Sequence, residues 1–484
     1  MKGLIMIRRT LLLLLAFMLI IPLNLASLVS ANEDSKSVVK ESIAEDNLKT
    51  QSTGAVNGAL KAFPQHVEYT EGTIKPNHIS QAQMDATVAR LYDEWKAKYV
   101  KKHPYLKKTE PVQYYVWYSD GNWFEKEHDE KLKVDYMATT VSEAHGYGML
   151  ITALMAGHDR DAKKVFDGMF RYFKSHRSEI NPDLMAWKQG DTGKAIVDVS
   201  GVDSATDGDL DIAYSLLLAD RQWGSAGEIN YLAEAKKAIE AVMKSDVHQT
   251  DWTLKLADWA DDKDPKYGIA TRPSDFMLQH MKDFRNVTGD KNWDRVIDQT
   301  YKVVNDIYGK YSRKTGLLPD FAMKKGDKFV PAEPNFLESE FDGDYNYNSS
   351  RTPWRIGTDY LLTGDTRAKD QLSTLNAWFR KITKENPSKI RAGYKLNGAK
   401  ALATYEDITF SAPLMVSAMI DSSNQKWLNK LWDYNAAVST KDDFYFGNNL
   451  RLLSMIVVSG NWWTPTDHRS SSVEPAEPTV ETEK

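Results

Sequence analysis

Apolar residues recur at helical spacing along most of this chain. Met84, Val88, Leu91 and Trp95 lie three or four positions apart and mark one face of a helix over about 81–101. Similar patterns appear near 141–157, 159–175, 207–221, 228–245, 273–288, 291–310, 352–364, 366–383, 411–421, 423–437 and 442–458, about twelve in all. Several of these come in pairs joined by tight turns: Gly157-His158-Asp159, Thr288-Gly289-Asp290 and Thr363-Gly364-Asp365. Glycine provides a left-handed stop for one helix and aspartate a start for the next. Long irregular segments, 176–204, 246–272, 311–351 and 384–410, separate the pairs. A short turn at one end and a long loop at the other is what stacked helical hairpins produce. Strand patterns are few. The pattern predicts an all-α protein, an (α/α)6 barrel of six hairpins with long loops lining an open cleft, in preference to an open helical solenoid.

Three stretches interrupt the apolar pattern with residues suited to chemistry. The first is SATDGDLDIAYSLLLADRQWG from Ser204, where Asp207, Asp209 and Asp211 alternate at the mouth of an apolar helix. Asp207 or Thr206 is placed to cap that helix, whose positive end favours carboxylates. The second, TTVSEAHGYGM from Thr139, has Ser142 as a candidate cap and Glu143 in the first helical turn. Its two glycines, Gly146 and Gly148, cost helix stability unless something approaches the backbone closely. The third runs from Pro331 to Tyr360 and carries Glu333, Glu338, Glu340, Asp342 and Asp344 among Phe341, Tyr345, Tyr347 and Trp354. Aromatic faces can stack on sugar rings, and carboxylates can bind hydroxyls or amines. Arg351 and Arg355, one turn apart, can pair with acids bidentately. QYYVWYSDGNWF, broken at Asp120-Gly121, reads as a short hairpin or a cleft-lining loop. Trp187 and Trp259 lie in long loops, whereas Trp462 and Trp463 read as core closure near the end of the domain.

Composition narrows the class. Lys2, Arg8 and Arg9, an apolar run from Leu11 to Pro22 and Val29-Ser30-Ala31 form a secretory signal over 1–31. Residues 32–62 read as a disordered lead-in, 63–465 as one catalytic domain and 466–484 as a flexible Ser/Pro/Glu-rich tail. The protein is therefore expected to be secreted, extracellular, free of the membrane once the signal is removed, and a monomer. Loss of the leader's three basic residues from 62 leaves 59 against 67 acidic ones, a formal charge of −8 that argues against a nucleic-acid partner. The chain has no cysteine, and its histidines show no ligand spacing, so neither a catalytic metal nor another cofactor is expected.

SATDGDLDIAYSLLLADRQW resembles the signature of glycoside hydrolase family 8, and VSEAHGYGM is similar to its acid motif, usually written SEGQGYGM. NYNSSRTPWR resembles the start of a later inner helix in that family. The resemblance spans about 63–465 and implies an (α/α)6 barrel that hydrolyses β-1,4-glycans with inversion. It matches Glu143 to the general acid and Asp207 to the aspartate that positions the central sugar. Where cellulase-like members carry a base aspartate, this chain has Asn348. That departure points to a subgroup whose base is a loop glutamate, here Glu338 from FLESEF with Glu340 in reserve, and which is rich in chitosanases. Ala144-His145 in place of the usual Gly-Gln is a second departure. Candidate sugar contacts are Tyr147, Trp187, Trp259, Tyr347, Asn348 and Arg351. The expected activity is endo-hydrolysis of chitosan, with β-glucan as a further substrate. The alternatives are a lichenase or endo-β-1,4-glucanase of the same fold and a non-catalytic polysaccharide-binding protein.

Overall fold

Twelve α-helices alternate between two kinds of surface in the computed structural model, which describes residues 58–120 and 126–466. In chain order they are α1 Gln81–Tyr99, α2 Ser142–Leu154, α3 Ala162–Ser175, α4 Thr206–Trp223, α5 Tyr231–Ser245 and α6 Leu278–Thr288. Then follow α7 Asn292–Lys310, α8 Thr352–Thr363, α9 Lys369–Thr383, α10 Ile408–Ala418, α11 Gln425–Ala437 and α12 Tyr445–Val458. The even-numbered helices are the more fully buried; all of ITFSAPLMVSA in α10 is out of solvent. The odd-numbered ones bury a single stripe, such as Val296, Ile297, Thr300, Val303, Val304 and Ile307 of α7. A helix apolar all round must sit inside, and one with a polar face must sit at the surface.

The even helices close a ring: α2 packs on α4, α4 on α6, α6 on α8, α8 on α10, α10 on α12, and α12 returns to α2. Each of α3, α5, α7, α9 and α11 packs on the inner helix before it, and α1 packs on α12. This is the expected (α/α)6 barrel. Gly289 and Gly364 end α6 and α8 in the left-handed conformation (φ 73° and 71°), as the tight-turn pattern predicted. Each bonds its N–H back to the helix carbonyl four residues earlier.

The long connections are less irregular than their sequence suggested. β1 Val100–Lys102 pairs with β2 Tyr114–Val116, so the strand in the aromatic stretch joins an earlier strand. The turn expected at Asp120-Gly121 runs into residues outside those described. β3 Glu127–Asp129, β4 Val134–Val141, β5 Lys188–Asp191 and β6 Ile196–Asp198 form one antiparallel sheet. β7 Ala270–Thr271, β8 Ala322–Lys325 and β9 Lys328–Pro331 form another. Both sheets matter for placement. β4 runs directly into α2, where Ser142 N–H bonds the Trp187 carbonyl at 2.8 Å, and β7 ends beside Arg272.

The ordered domain starts before residue 63. Ala59 is buried, Leu60 N–H bonds the Gln222 carbonyl at 3.1 Å, and Gln222 holds both backbone groups of Lys61. The signal segment 1–31, the lead-in up to residue 57 and the tail from residue 467 lie outside the described residues. Among the described residues no helix is long and apolar enough to cross a membrane.

Candidate active site

The N-termini of the inner helices converge at the loop-covered end of the barrel, and Arg351 sits among them. Its Nη1 donates to Glu143 Oε2 at 2.7 Å, to Asp207 Oδ2 at 2.8 Å and to the Tyr147 hydroxyl at 3.2 Å. Its Nη2 donates to Ser274 Oγ and Asn348 Oδ1, both at 2.9 Å. Glu143 is from the first turn of α2, Asp207 from that of α4, Ser274 from the turn before α6, and Arg351 from the turn that opens α8. One guanidinium thus joins four of the six inner helices.

Close approach of α2 and α4 makes this possible. A Cβ on Gly208 would lie 2.5–2.6 Å from Ser142, and one on Gly146 would lie 2.7 Å from the Asp211 Cβ. These glycines let the two backbones touch where the two acids must meet. The expected caps are absent. Ala205 and Val141 occupy the N-cap positions without side-chain bonds, because Asp207 is engaged by Arg351 and the Ser142 side chain is pressed against Gly208.

The three aspartates of α4 separate by helical geometry. Asp207 and Asp211, four residues apart, share a face. Asp207 meets Arg351, and Asp211 takes both ends of the Arg355 guanidinium (2.9 and 2.5 Å) and a His280 nitrogen at 3.1 Å. Asp209 points elsewhere and accepts from Met185 N–H at 3.3 Å. Only Arg355 makes the predicted bidentate pair, and it lies in the core.

Glu143 is in a different environment from Asp207. Its side chain keeps 18% exposure, whereas that of Asp207 keeps 6%. Burial pushes the Glu143 carboxyl up to about 7, with Arg351 acting against the rise and Asp207 adding to it. Burial would also raise Asp207, but Arg351 and Arg272 outweigh it and hold that carboxyl below its usual value. One acid is poised near neutrality and its neighbour is kept ionised, the division of labour that acid–base catalysis needs. Tyr445, at the start of α12, donates its hydroxyl to Glu143 Oε1 at 2.9 Å. That bond favours the ionised form of Glu143. Tyr445→Phe therefore raises the Glu143 pKa and moves the alkaline limb of kcat/KM to higher pH. A pH profile with the limb unmoved or shifted down would remove Tyr445 from this role.

Glu338 reaches the same place from the loop. Asn348 Nδ2 donates to its Oε2 at 2.7 Å, and Arg272 Nη2 to its Oε1 at 3.3 Å. Its side chain keeps 21% exposure. Burial raises its pKa, against the pull of Arg272 and the Asn348 bond. The loop is not extended here. The buried Asp342 carboxylate accepts three consecutive N–H groups, from Leu337, Glu338 and Ser339, at 2.7–2.9 Å. Glu338 is turned inward by this knot and Glu340 is exposed, so the two do not point the same way.

The remaining candidates divide. Tyr347 is half-buried, with its hydroxyl 3.1 Å from Asp407 Oδ2 and 3.4 Å from the Tyr405 hydroxyl. Asn348 is half-buried at the centre of the network. Tyr147 and Arg351 are almost fully buried, which makes them supports beneath the acids; neither offers a surface to a sugar. Trp187 is half-buried and donates to the Ser200 carbonyl at 3.3 Å. Trp259 packs edge-on to Tyr267 in a small cluster with Phe321, Phe336 and Leu337, behind the Glu338 loop. His145 is buried, bonds the Met169 carbonyl at 2.7 Å and stacks on Tyr172, so that departure near the acid faces the outer helices. Sequence reasoning missed Arg272 and Tyr445 as site residues. Arg272 stands out in the sequence only for opening a helix with Pro273, and Tyr445 carries no spacing signal beyond an aromatic residue at a helix start.

A closed double ring of helices with an acid–base arrangement at the N-terminal end of its inner helices defines a helical-barrel glycoside hydrolase. The chain belongs to glycosyl hydrolases family 8, whose model matches residues 131–460. It is 50% identical over 405 residues to a beta-glucanase of Niallia circulans, covering 84% of this chain and 91% of that protein. An endoglucanase of Bacillus sp. (strain KSM-330) is 40% identical over 435 residues, 90% of this chain and 88% of that one. Among solved structures, the apo β-1,3-1,4-glucanase of Paenibacillus sp. X4 matches with a TM-score of 0.76 at 50% identity, over 85% of this chain and all of that one. A cold-adapted family 8 xylanase shares the fold, with a TM-score of 0.65 at 18% identity, over 86% of this chain and all of that one.

Proposed function

We propose that the protein is a secreted, endo-acting, inverting β-glucanase. The observation that carries this reading is the chain of contacts Glu143–Arg351–Asn348–Glu338, which links two partly exposed carboxyl groups, one met by Arg351 and Tyr445 and the other by Asn348 and Arg272. Glu143, with its proton available near neutral pH, protonates the glycosidic oxygen. Glu338, held by two donors, takes the proton of a water attacking the anomeric carbon from the opposite face. Inversion of this kind calls for roughly 6.5–9.5 Å between the carboxyl groups, so that the water fits. Asp207, kept ionised, binds and orients the sugar between them. The similarity to a beta-glucanase and to a β-1,3-1,4-glucanase, each at 50% identity, favours β-glucan as the substrate class.

One observation favours the chitosan reading beside it. Asp443 and Asp407, next to the exposed aromatics Phe444 and Tyr405, repel each other electrostatically; burial first and then Asp407 push Asp443 up to about 7. A glucosamine ammonium would relieve that repulsion, whereas a hydroxyl would not. The test is reducing-sugar release from lichenan, carboxymethylcellulose, chitosan and xylan in parallel, with the first product followed by proton NMR. Release from lichenan with the α-anomer appearing first is expected. The β-anomer appearing first would overturn inversion, and release from chitosan alone would reverse the order of substrates.

A further inference from the structure

We propose that Asn348 is the positioning residue of the base, its amide holding and aiming the Glu338 carboxylate while Arg351 fixes the amide's orientation. This rests on the reading of Glu338 as the base. Asn348 stands where the chain departs from an acid, and its amide is placed between a cation and an anion. Arg351 has only donors, so the Asn348 carbonyl oxygen must face it, at 2.9 Å. That leaves the NH₂ group for Glu338, at 2.7 Å. Flipping the amide would set NH₂ against the guanidinium and oxygen against the carboxylate, losing both bonds at once.

Arg351 also grips Asn348 through its backbone, Nε to the Asn348 carbonyl at 3.1 Å. The asparagine is thus held at two atoms, its side-chain and backbone oxygens, and Glu338 inherits the fixed geometry through the Nδ2 group. Glu338 is otherwise carried by a long loop, where a carboxylate has more freedom than on a helix. Its backbone is tied by Asp342 from behind, its Oε1 is met by Arg272 and its Oε2 by Asn348. Arg272 is itself backed by Phe321, 5.2 Å from the guanidinium carbon to the ring centre. Of the two donors to the carboxylate, Asn348 has the shorter bond and also touches the residue that binds the acid. One side chain therefore sets the base relative to Glu143.

The groups that face Glu338 include Arg272, Asp342, Asn348 and Arg351, with the buried Asp320 also close enough to feel its charge. An amide donor on a carboxylate favours its ionised form, so removing Asn348 raises the Glu338 pKa. The base must be ionised to work, so the acid limb of the rate profile moves to higher pH.

The experiment uses Asn348→Ala and Asn348→Leu, one emptying the space and one filling it, each checked for folding by its melting curve. Misplacing a reacting group by about 1 Å costs up to roughly 10²-fold. Turnover is expected to fall at least ~10-fold with KM changed less than ~3-fold, and the acid limb of kcat should shift upward. The same substitution is then made in Glu338→Ala and turnover is measured with azide, which replaces the base and its water. There Asn348→Ala should change the rescued rate by less than ~2-fold, because nothing remains for it to aim. An unmoved acid limb, or an equal loss in the azide-rescued background, would overturn the positioning role. Full activity in Glu338→Ala alone would instead overturn the base itself, so the two failures are distinguishable.

Discussion

Glu143→Gln loses about 10²- to 10⁴-fold in turnover while the protein still folds and binds polysaccharide, because the amide keeps the shape and removes the proton donor. The glutamine oxygen can still accept from Arg351 Nη1, and its NH₂ can donate to the Tyr445 hydroxyl, so the contacts of Glu143 survive the exchange. What disappears is the ionisation near pH 7, and with it the alkaline limb of the pH profile. The sign follows from the role. A general acid must be protonated, so wild-type activity falls as pH rises through the Glu143 pKa. A substrate whose leaving group needs no protonation, such as a dinitrophenyl β-glycoside, should lose far less than β-glucan does. Equal losses on both substrates, or near-normal turnover on glucan, would take the acid role from Glu143.

The helices were legible because packing in a double ring writes itself into the apolar pattern. An inner helix such as α10 has no polar face and an outer one such as α7 has a single stripe, and left-handed glycines mark where one turns into the next. The small sheets were not legible. Strands such as Glu127–Asp129 and Ala270–Thr271 are too short for alternation to register, and the partner of Ala270–Thr271 lies far along the chain, at Ala322 and Met323.

In the site, Glu143 and Asp207 were legible as acids in the first turns of apolar helices, where the helix dipole and glycine contacts give a local signal. Their partner was visible only as a type of residue. Arg351 lies 208 residues from Glu143, and nothing local says that one guanidinium joins Glu143 to Asp207 while the other arginine, Arg355, disappears into the core with Asp211. The predicted caps failed for the same reason. Asp207 sits inside the first turn, where its Oδ1 accepts from Gly208 N–H and its Oδ2 turns to a long-range cation, Arg351, in place of a capping bond. The direction of His145 was equally hidden, since the sequence places it two residues from the acid without saying which way it faces. It turns outward to Met169, so this second departure from the family motif does not reach the cleft.

The loop glutamates are where structure adds most to sequence, and they give the second large effect. Spacing alone places Glu338 and Glu340 on the same side of an extended loop, because alternate residues share a face only in that conformation. Asp342 breaks the assumption by drawing three successive N–H groups onto one carboxylate, so Glu338 meets Asn348 and Arg272 while Glu340 stays exposed. Glu338→Ala should therefore lower turnover by about 10²- to 10⁴-fold, and Glu340→Ala should leave it nearly intact. Azide separates loss of the base from loss of structure. A small anion can occupy the space left by the carboxylate and attack the anomeric carbon from the water side without needing deprotonation. Turnover should return in Glu338→Ala with azide, giving a glycosyl azide of inverted configuration, α from a β-linked glucan. The product's anomeric coupling in proton NMR reads that configuration directly. Rescue confined to Glu340→Ala would move the base two residues along. Full activity in both variants would remove the base from this loop.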